Sequence, residues 1–266
     1  MSTPTGPNWD DLKPRFLSAL AMILVGGAAV WAGGALFALL VVAVTGVMMW
    51  ELARMTADPS RDLSLWLGAL AAGMLAINLW NASPWALVAL GVPAVVGALI
   101  PRRDRVVFFA YALVIMATGL SLVVLRQSLG LVPVFWLLAV VIASDVLGYF
   151  AGRTLGGPKF WPAISPKKTW SGTAAGWVGA GLVGFGFWSV GFGTAALLWA
   201  SPLVAFAGQL GDIAESAIKR RAGVKDSSNL IPGHGGLLDR FDALAFAGIV
   251  TVLISLVAPL FPLLKG

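Results

Sequence analysis

Nine predominantly apolar runs of 17–25 residues fill most of the chain, at residues 16–32, 34–52, 63–80, 84–100, 106–125, 132–151, 173–190, 193–217 and 242–262. A run of this length crosses the hydrocarbon core of a bilayer as a helix. Inside lipid, only structures that satisfy their own backbone hydrogen bonds are viable. Charged residues make up only 11% of the chain and hydrophobic residues 59%, whereas a soluble domain carries about 25% charged residues. Such a chain cannot clothe a water-facing surface. The expectation is an all-α, polytopic integral membrane protein with about nine transmembrane helices. Its start, "MSTPTGPNWDDLKPRF", is polar and lacks a small-residue cleavage site, so the first run reads as a retained helix rather than a signal peptide.

The charges orient the expected bundle. With the N-terminus in the cytoplasm, Lys13, Arg15, Arg54 and Arg61 face inward, as do Arg102, Arg103, Arg105, Arg153, Lys159, Lys167 and Lys168. Lys219, Arg220, Arg221, Lys225 and Arg240 join them, leaving only Arg126 and Lys265 outside. The positive-inside rule then puts the N-terminus inside and the C-terminus outside. All 12 acidic residues, from Asp10 to Asp242, also fall in or beside the inward segments. Acids contribute little to orientation, so their gathering points to a chemical site on that face.

Residues 1–130 read as plain N-terminal hairpins with charged connectors, and residues 131–266 as the chemically active region. Four polar clusters mark the second part. "SDVLGYFAGRTLGGPK" places Asp145 deep in an apolar run, with Tyr149 one turn on and Arg153 beyond. A carboxylate at that depth costs at least about 2.5 kcal/mol and is a functional candidate by default; an inter-helix hydrogen bond or a pair with Arg153 is the plainer alternative. "ISPKKTWSGTAAG" sets Ser165, Lys167 and Lys168 in a tight loop before a helix start, a place suited to phosphate. Anchoring of the helix end by positive charge explains that loop equally.

"GQLGDIAESAIKRR" puts Asp212, Glu215, Ser216 and Lys219 on a single helical face. Carboxylate oxygens suit Mg²⁺, which takes one or two of them and completes its shell with water and phosphate. A Glu215–Lys219 surface pair accounts for the charges near the helix end, but not for Asp212 in its apolar stretch. Finally, "KDSSNLIPGHGGLLDRFD" carries Lys225, Asp226, His234, Asp239, Arg240 and Asp242 around a glycine loop. Gly235 and Gly236 there can let the backbone approach a ligand. One histidine and no cysteine cannot build the usual zinc site.

Together these are the parts of a metal-assisted phosphoryl or nucleotidyl transfer site. Neither GxxxxGK[ST] nor a GxGxxG strand–helix turn is present, so the membrane helices themselves must build it. Candidate catalytic residues are Asp145, Glu215, Lys219, Lys225, Asp226, His234, Arg240 and Asp242. Candidate substrate-binding residues are Arg153, Ser165, Lys167, Lys168, Gly235 and Gly236. Asp212 and Asp239 are the candidate metal ligands.

Residues 216–242, "SAIKRRAGVKDSSNLIPGHGGLLDRFD", closely resemble the C-terminal signature of the phosphatidate cytidylyltransferases, or CDP-diacylglycerol synthases. Ser216, Lys219-Arg220, Lys225-Asp226, Pro232, His234-Gly235-Gly236, Asp239-Arg240 and Asp242 fill its positions. "GDIAES", "SPKKTW" and the run from Asp145 to Arg153 are also similar, so the resemblance is strong over about residues 140–245. Gly148, Ser171 and Ser228 depart from the family pattern, and Ser171 leaves one charge fewer near the lysine loop. The resemblance implies conversion of CTP and phosphatidate to CDP-diacylglycerol and pyrophosphate, with Mg²⁺ and room for a second cation. It also implies a multi-pass protein of the cell's inner (plasma) membrane with its site facing the cytoplasm. The lipid bilayer is a further partner, nucleic acid is not, and a homodimer stays open. Two alternatives stand beside this reading: another CTP-dependent membrane lipid kinase, which releases CDP, and a cation transporter, which calls for acids spread across the membrane depth.

Overall fold

The computed structural model describes residues 12–58, 62–81 and 84–261. Asp10, Asp11, Arg61 and Lys265, used above to orient the chain, lie outside them. Ten helices follow in order: α1 Leu12–Ala32, α2 Gly34–Thr56, α3 Ser64–Trp80, α4 Pro84–Ala89, α5 Val92–Leu99, α6 Arg105–Ser128, α7 Leu131–Thr154, α8 Trp170–Ser189, α9 Leu197–Ala222 and α10 Leu238–Val257. Six of them, α1, α2, α6, α7, α9 and α10, are long and apolar enough to cross a membrane. The chain is thus a predominantly helical, multi-pass membrane protein.

Three expected spans look different. The 84–100 run is two short helices, α4 and α5, instead of one. Pro93 follows the break and has no N–H for a helical bond back to Ala89. The preceding turn closes tightly, with Leu90 N–H and Gly91 N–H donating to Leu87 O at 3.2 Å and Val88 O at 3.0 Å. The 63–80 run gives the 17-residue α3, and the 173–190 run lies in α8, whose glycines dilute its apolar character.

The lysine loop is a small antiparallel hairpin, β1 Lys159–Trp161 and β2 Ser165–Thr169, with Lys159 opposite Thr169 and Trp161 opposite Ser165. Its sequence is too short and polar to signal strands by alternation. The chain turns from β2 straight into α8, where Thr169 Oγ1 accepts from Gly172 N–H at 3.2 Å.

Packing divides the bundle into α2, α3, α5 and α6 on one side and α7 to α10 on the other, with α10 against α6 between them. Small residues allow the closest crossings, as is usual between helices in lipid. Gly211 on α9 faces the backbone carbonyl of Asp242 on α10, where any Cβ would collide. This contact brings the two acid-bearing helices together. A second junction ties the end of α2 to the loop before α6: Arg102 donates to Gly97 O at 2.6 Å and Thr56 Oγ1 at 3.0 Å. Burial, with Arg105 nearby, pushes the Arg102 guanidinium down to about 10.

Candidate active site

A cavity of about 540 Å³ opens between α7, the hairpin, α8 and α9. Arg153, Lys159, Lys167 and Lys168 supply positive charge to its wall and Asp145 a carboxylate. The strand explains the lysines: successive side chains leave opposite faces, so Lys167 is exposed while Lys168 is partly covered and reaches α9. Ser165 stands half-buried at the far end of β2. Arg153 donates to the Tyr149 hydroxyl at 2.7 Å, and no ion pair joins it to Asp145 among the described residues. Asp145 is exposed in the cavity. Its floor is pinned by Gln209, whose amide donates to Ser144 Oγ and Thr173 O while its oxygen accepts from Trp177 Nε1.

Beside this basic wall lies an acidic group. Asp212 and Glu215 of α9 and Asp242 of α10 each offer a carboxylate oxygen, all within 4.8 Å of one another. Asp212 is linked to the cavity wall by an ion pair of 2.6 Å with Lys168 Nζ. Glu215 is fully buried, and apart from the Lys219 ammonium no donor hydrogen-bonds its oxygens among the described residues. Three clustered carboxylates with an unsatisfied buried member would be costly alone. Their all-oxygen donor set fits a hard divalent cation such as Mg²⁺.

Asp239, paired with Asp212 in the sequence reading, does not join this group. Its Oδ1 takes Lys219 Nζ at 2.6 Å. Its Oδ2 accepts Ser227 N–H at 2.9 Å, Ser227 Oγ–H at 2.8 Å and Gly236 N–H at 2.8 Å. Lys219 thus bridges Glu215 and Asp239, and the surface pair weighed above is one half of a buried network. Gly235 and Gly236 serve the same clamp. A Cβ on Gly235 would press on Asp239 and one on Gly236 on Ser227 and Glu51, so the space they free is filled by the protein's own carboxylates.

The remaining candidates spread out. His234 Nδ1 pairs with Ser18 Oγ of α1 at 2.8 Å. Lys225 and Asp226 are exposed and line a separate cavity with Trp50 and Arg54. Arg240 is exposed on the first turn of α10.

Sequence reasoning missed three contributors. Gln209 and Glu51 are polar groups in apolar helices, which is itself the signal that could have found them. Tyr111 of α6 is the third: its hydroxyl is buried without a partner among the described residues, on the helix that packs against α10.

A profile of the Cytidylyltransferase family matches residues 13–257, nearly the whole described structure. The chain belongs to that family. Similar family members include the phosphatidate cytidylyltransferase of Brucella abortus biovar 1 (strain 9-941), 33% identical over 91% of this chain and 93% of the relative. That of Bacillus subtilis (strain 168) is 32% identical over 89% and 94%. A shorter stretch, 46% of this chain, is 44% identical to the phosphatidate cytidylyltransferase of Helicobacter pylori (strain ATCC 700392 / 26695), covering 47% of it.

Proposed function

We infer that this family member transfers the cytidylyl group of CTP to phosphatidate, giving CDP-diacylglycerol and pyrophosphate. The single observation that carries this reading beyond the family match is the Lys168–Asp212 contact. It joins a basic cavity to a trio of carboxylates at the ends of membrane helices. A lipid phosphate can enter among helices, and a triphosphate needs both cations and oxygen ligands for a metal.

One phosphate oxygen of phosphatidate forms a bond to the α-phosphorus of CTP as the bond to the β-phosphate breaks. That oxygen is already largely ionised at neutral pH, since a phosphate monoester has its second pKa near about 6. A strong general base is therefore unnecessary, and positioning with charge neutralisation carries the rate. Arg153, Lys159, Lys167 and Lys168 grip phosphate oxygens. We assign Asp212, Glu215 and Asp242 to hold Mg²⁺, which would neutralise charge on the triphosphate and the departing pyrophosphate. Asp145 faces the cavity, where it can repel a misplaced phosphate or orient a hydroxyl. Asp239 and Lys219 act behind the trio, fixing the glycine loop and the Glu215 carboxylate.

The same reading takes nine spans, counting α4 and α5 as one crossing, with the N-terminus and the site on the cytoplasmic side of the inner membrane. Residues 131–266 form the catalytic region and residues 1–130 its support. Phosphatidate-dependent release of pyrophosphate from CTP by the purified protein tests the reaction; release that ignores phosphatidate contradicts it.

A further inference from the structure

Glu51 belongs to none of the four polar clusters, yet it is fully buried near the end of α2. Its carboxylate is saturated by residues far along the chain. Oε1 accepts from Ser228 Oγ at 2.6 Å and from Leu237 N–H at 3.0 Å; Oε2 accepts from Leu238 N–H at 2.7 Å. Leu237 and Leu238 open α10, and their N–H groups are among those a helix start leaves without internal partners. A carboxylate there is also favoured by the helix dipole. Asp239 holds the neighbouring positions, Ser227 and Gly236, from the other side. Two buried carboxylates, one from each half of the chain, therefore close the loop 228–236. Gly236 lies between them, with no room for a Cβ.

We propose that Glu51 is a positioning residue for the carboxylate trio: by fixing where α10 begins, it sets where Asp242 meets Asp212 and Glu215. Asp242 stands one turn beyond Leu238, and each residue of slip at a helix start swings a side chain by about 100°. The platform is rigid, since Met48, Met49 and Leu52 around Glu51 are all buried in the core. The role rests on the reading that the trio holds a divalent cation.

The test uses the full chain in detergent, with Mg²⁺ as the probe. Thermal unfolding is followed against Mg²⁺ without substrates, and CTP turnover against Mg²⁺ with them. Glu51→Gln keeps one acceptor oxygen but sets an amide against the N–H groups of α10. It should raise the Mg²⁺ midpoint in both measurements by about ten- to a hundredfold, as loss of a ligand-orienting partner does. The KM for phosphatidate should stay within about twofold, because the basic cavity is untouched. Should Glu51→Gln fail to fold, Glu51→Asp keeps the charge one methylene short and carries the same expectation. A wild-type midpoint that neither variant moves overturns the positioning role alone. Wild-type protein with no Mg²⁺ midpoint overturns the cation reading, and this role with it.

Discussion

Lys168 Nζ stands 2.6 Å from Asp212 Oδ2, and this contact is the seam between the basic cavity and the acidic trio. A cation on a short strand and an anion on a membrane helix meet here because β2 runs directly into α8, which packs on α9. The contact also holds the Asp212 carboxylate against the Lys168 wall of the cavity before substrate arrives.

Lys168→Ala should therefore lower kcat/KM by about 10- to 100-fold, the cost of about 1.5–3 kcal/mol for a hydrogen bond to a charged group. Lys167→Ala, which removes a freer ammonium, should mainly raise KM. Steady-state kinetics on both variants checks the split. Equal, wild-type kinetics would reduce the hairpin to an anchor for α8.

Asp212→Asn, Glu215→Gln and Asp242→Asn should each cut Mg²⁺-dependent turnover by at least about a hundredfold, since metal stabilisation is worth several kcal/mol. Combining any two should cost far less than the product of the single losses, because a disabled unit cannot be disabled twice. Additive losses would show that the three carboxylates act separately.

Asp239→Asn should behave differently. It removes one of the two carboxylates that Lys219 bridges, and with it the charge that accepts from Ser227 and Gly236. Glu215 is left alone against the ammonium, at a cost of about 1.5–3 kcal/mol in stability. A clear fall in Tm without Mg²⁺ is expected for Asp239→Asn but not for Asp212→Asn, whose loss relieves repulsion within the trio. If Asp239→Asn melts with the wild-type protein, the clamp around Ser227 and Gly236 is not stabilising.

The fold was legible where hydrophobicity alone decides it. Each apolar run holds helix among the described residues, and six of the helices are long and apolar enough to cross a membrane. The proline at residue 93 marks where one run broke. The site was legible as ingredients. Asp212, Glu215 and Asp242 came out of helical spacing and the signature, and their convergence is real. What spacing could not tell was which of two aspartates one turn apart, Asp239 or Asp242, faces Asp212. That depends on the rotation of α10, fixed by the Gly211 contact and by Glu51, both long-range. Glu51 itself was hidden by its place in a half that reads as plain hairpins. Likewise, a five-residue strand rich in lysine carries no alternation from which to see a hairpin.

The orientation has its own test. A reporter active only in the cytoplasm, fused after Gly266, should stay silent, and one inserted at Gly157 should be active. The reverse pattern would place the basic cavity on the wrong side for CTP.

The most direct test of the central claim follows the phosphorus atoms of CTP. Purified protein in lipid vesicles receives phosphatidate, Mg²⁺ and CTP labelled at either the α- or the γ-phosphate. The account predicts that α-label enters the lipid phase and γ-label leaves as pyrophosphate, both only when phosphatidate is present. Passage of γ-label into lipid, with CDP released, would contradict it and make the protein a lipid kinase.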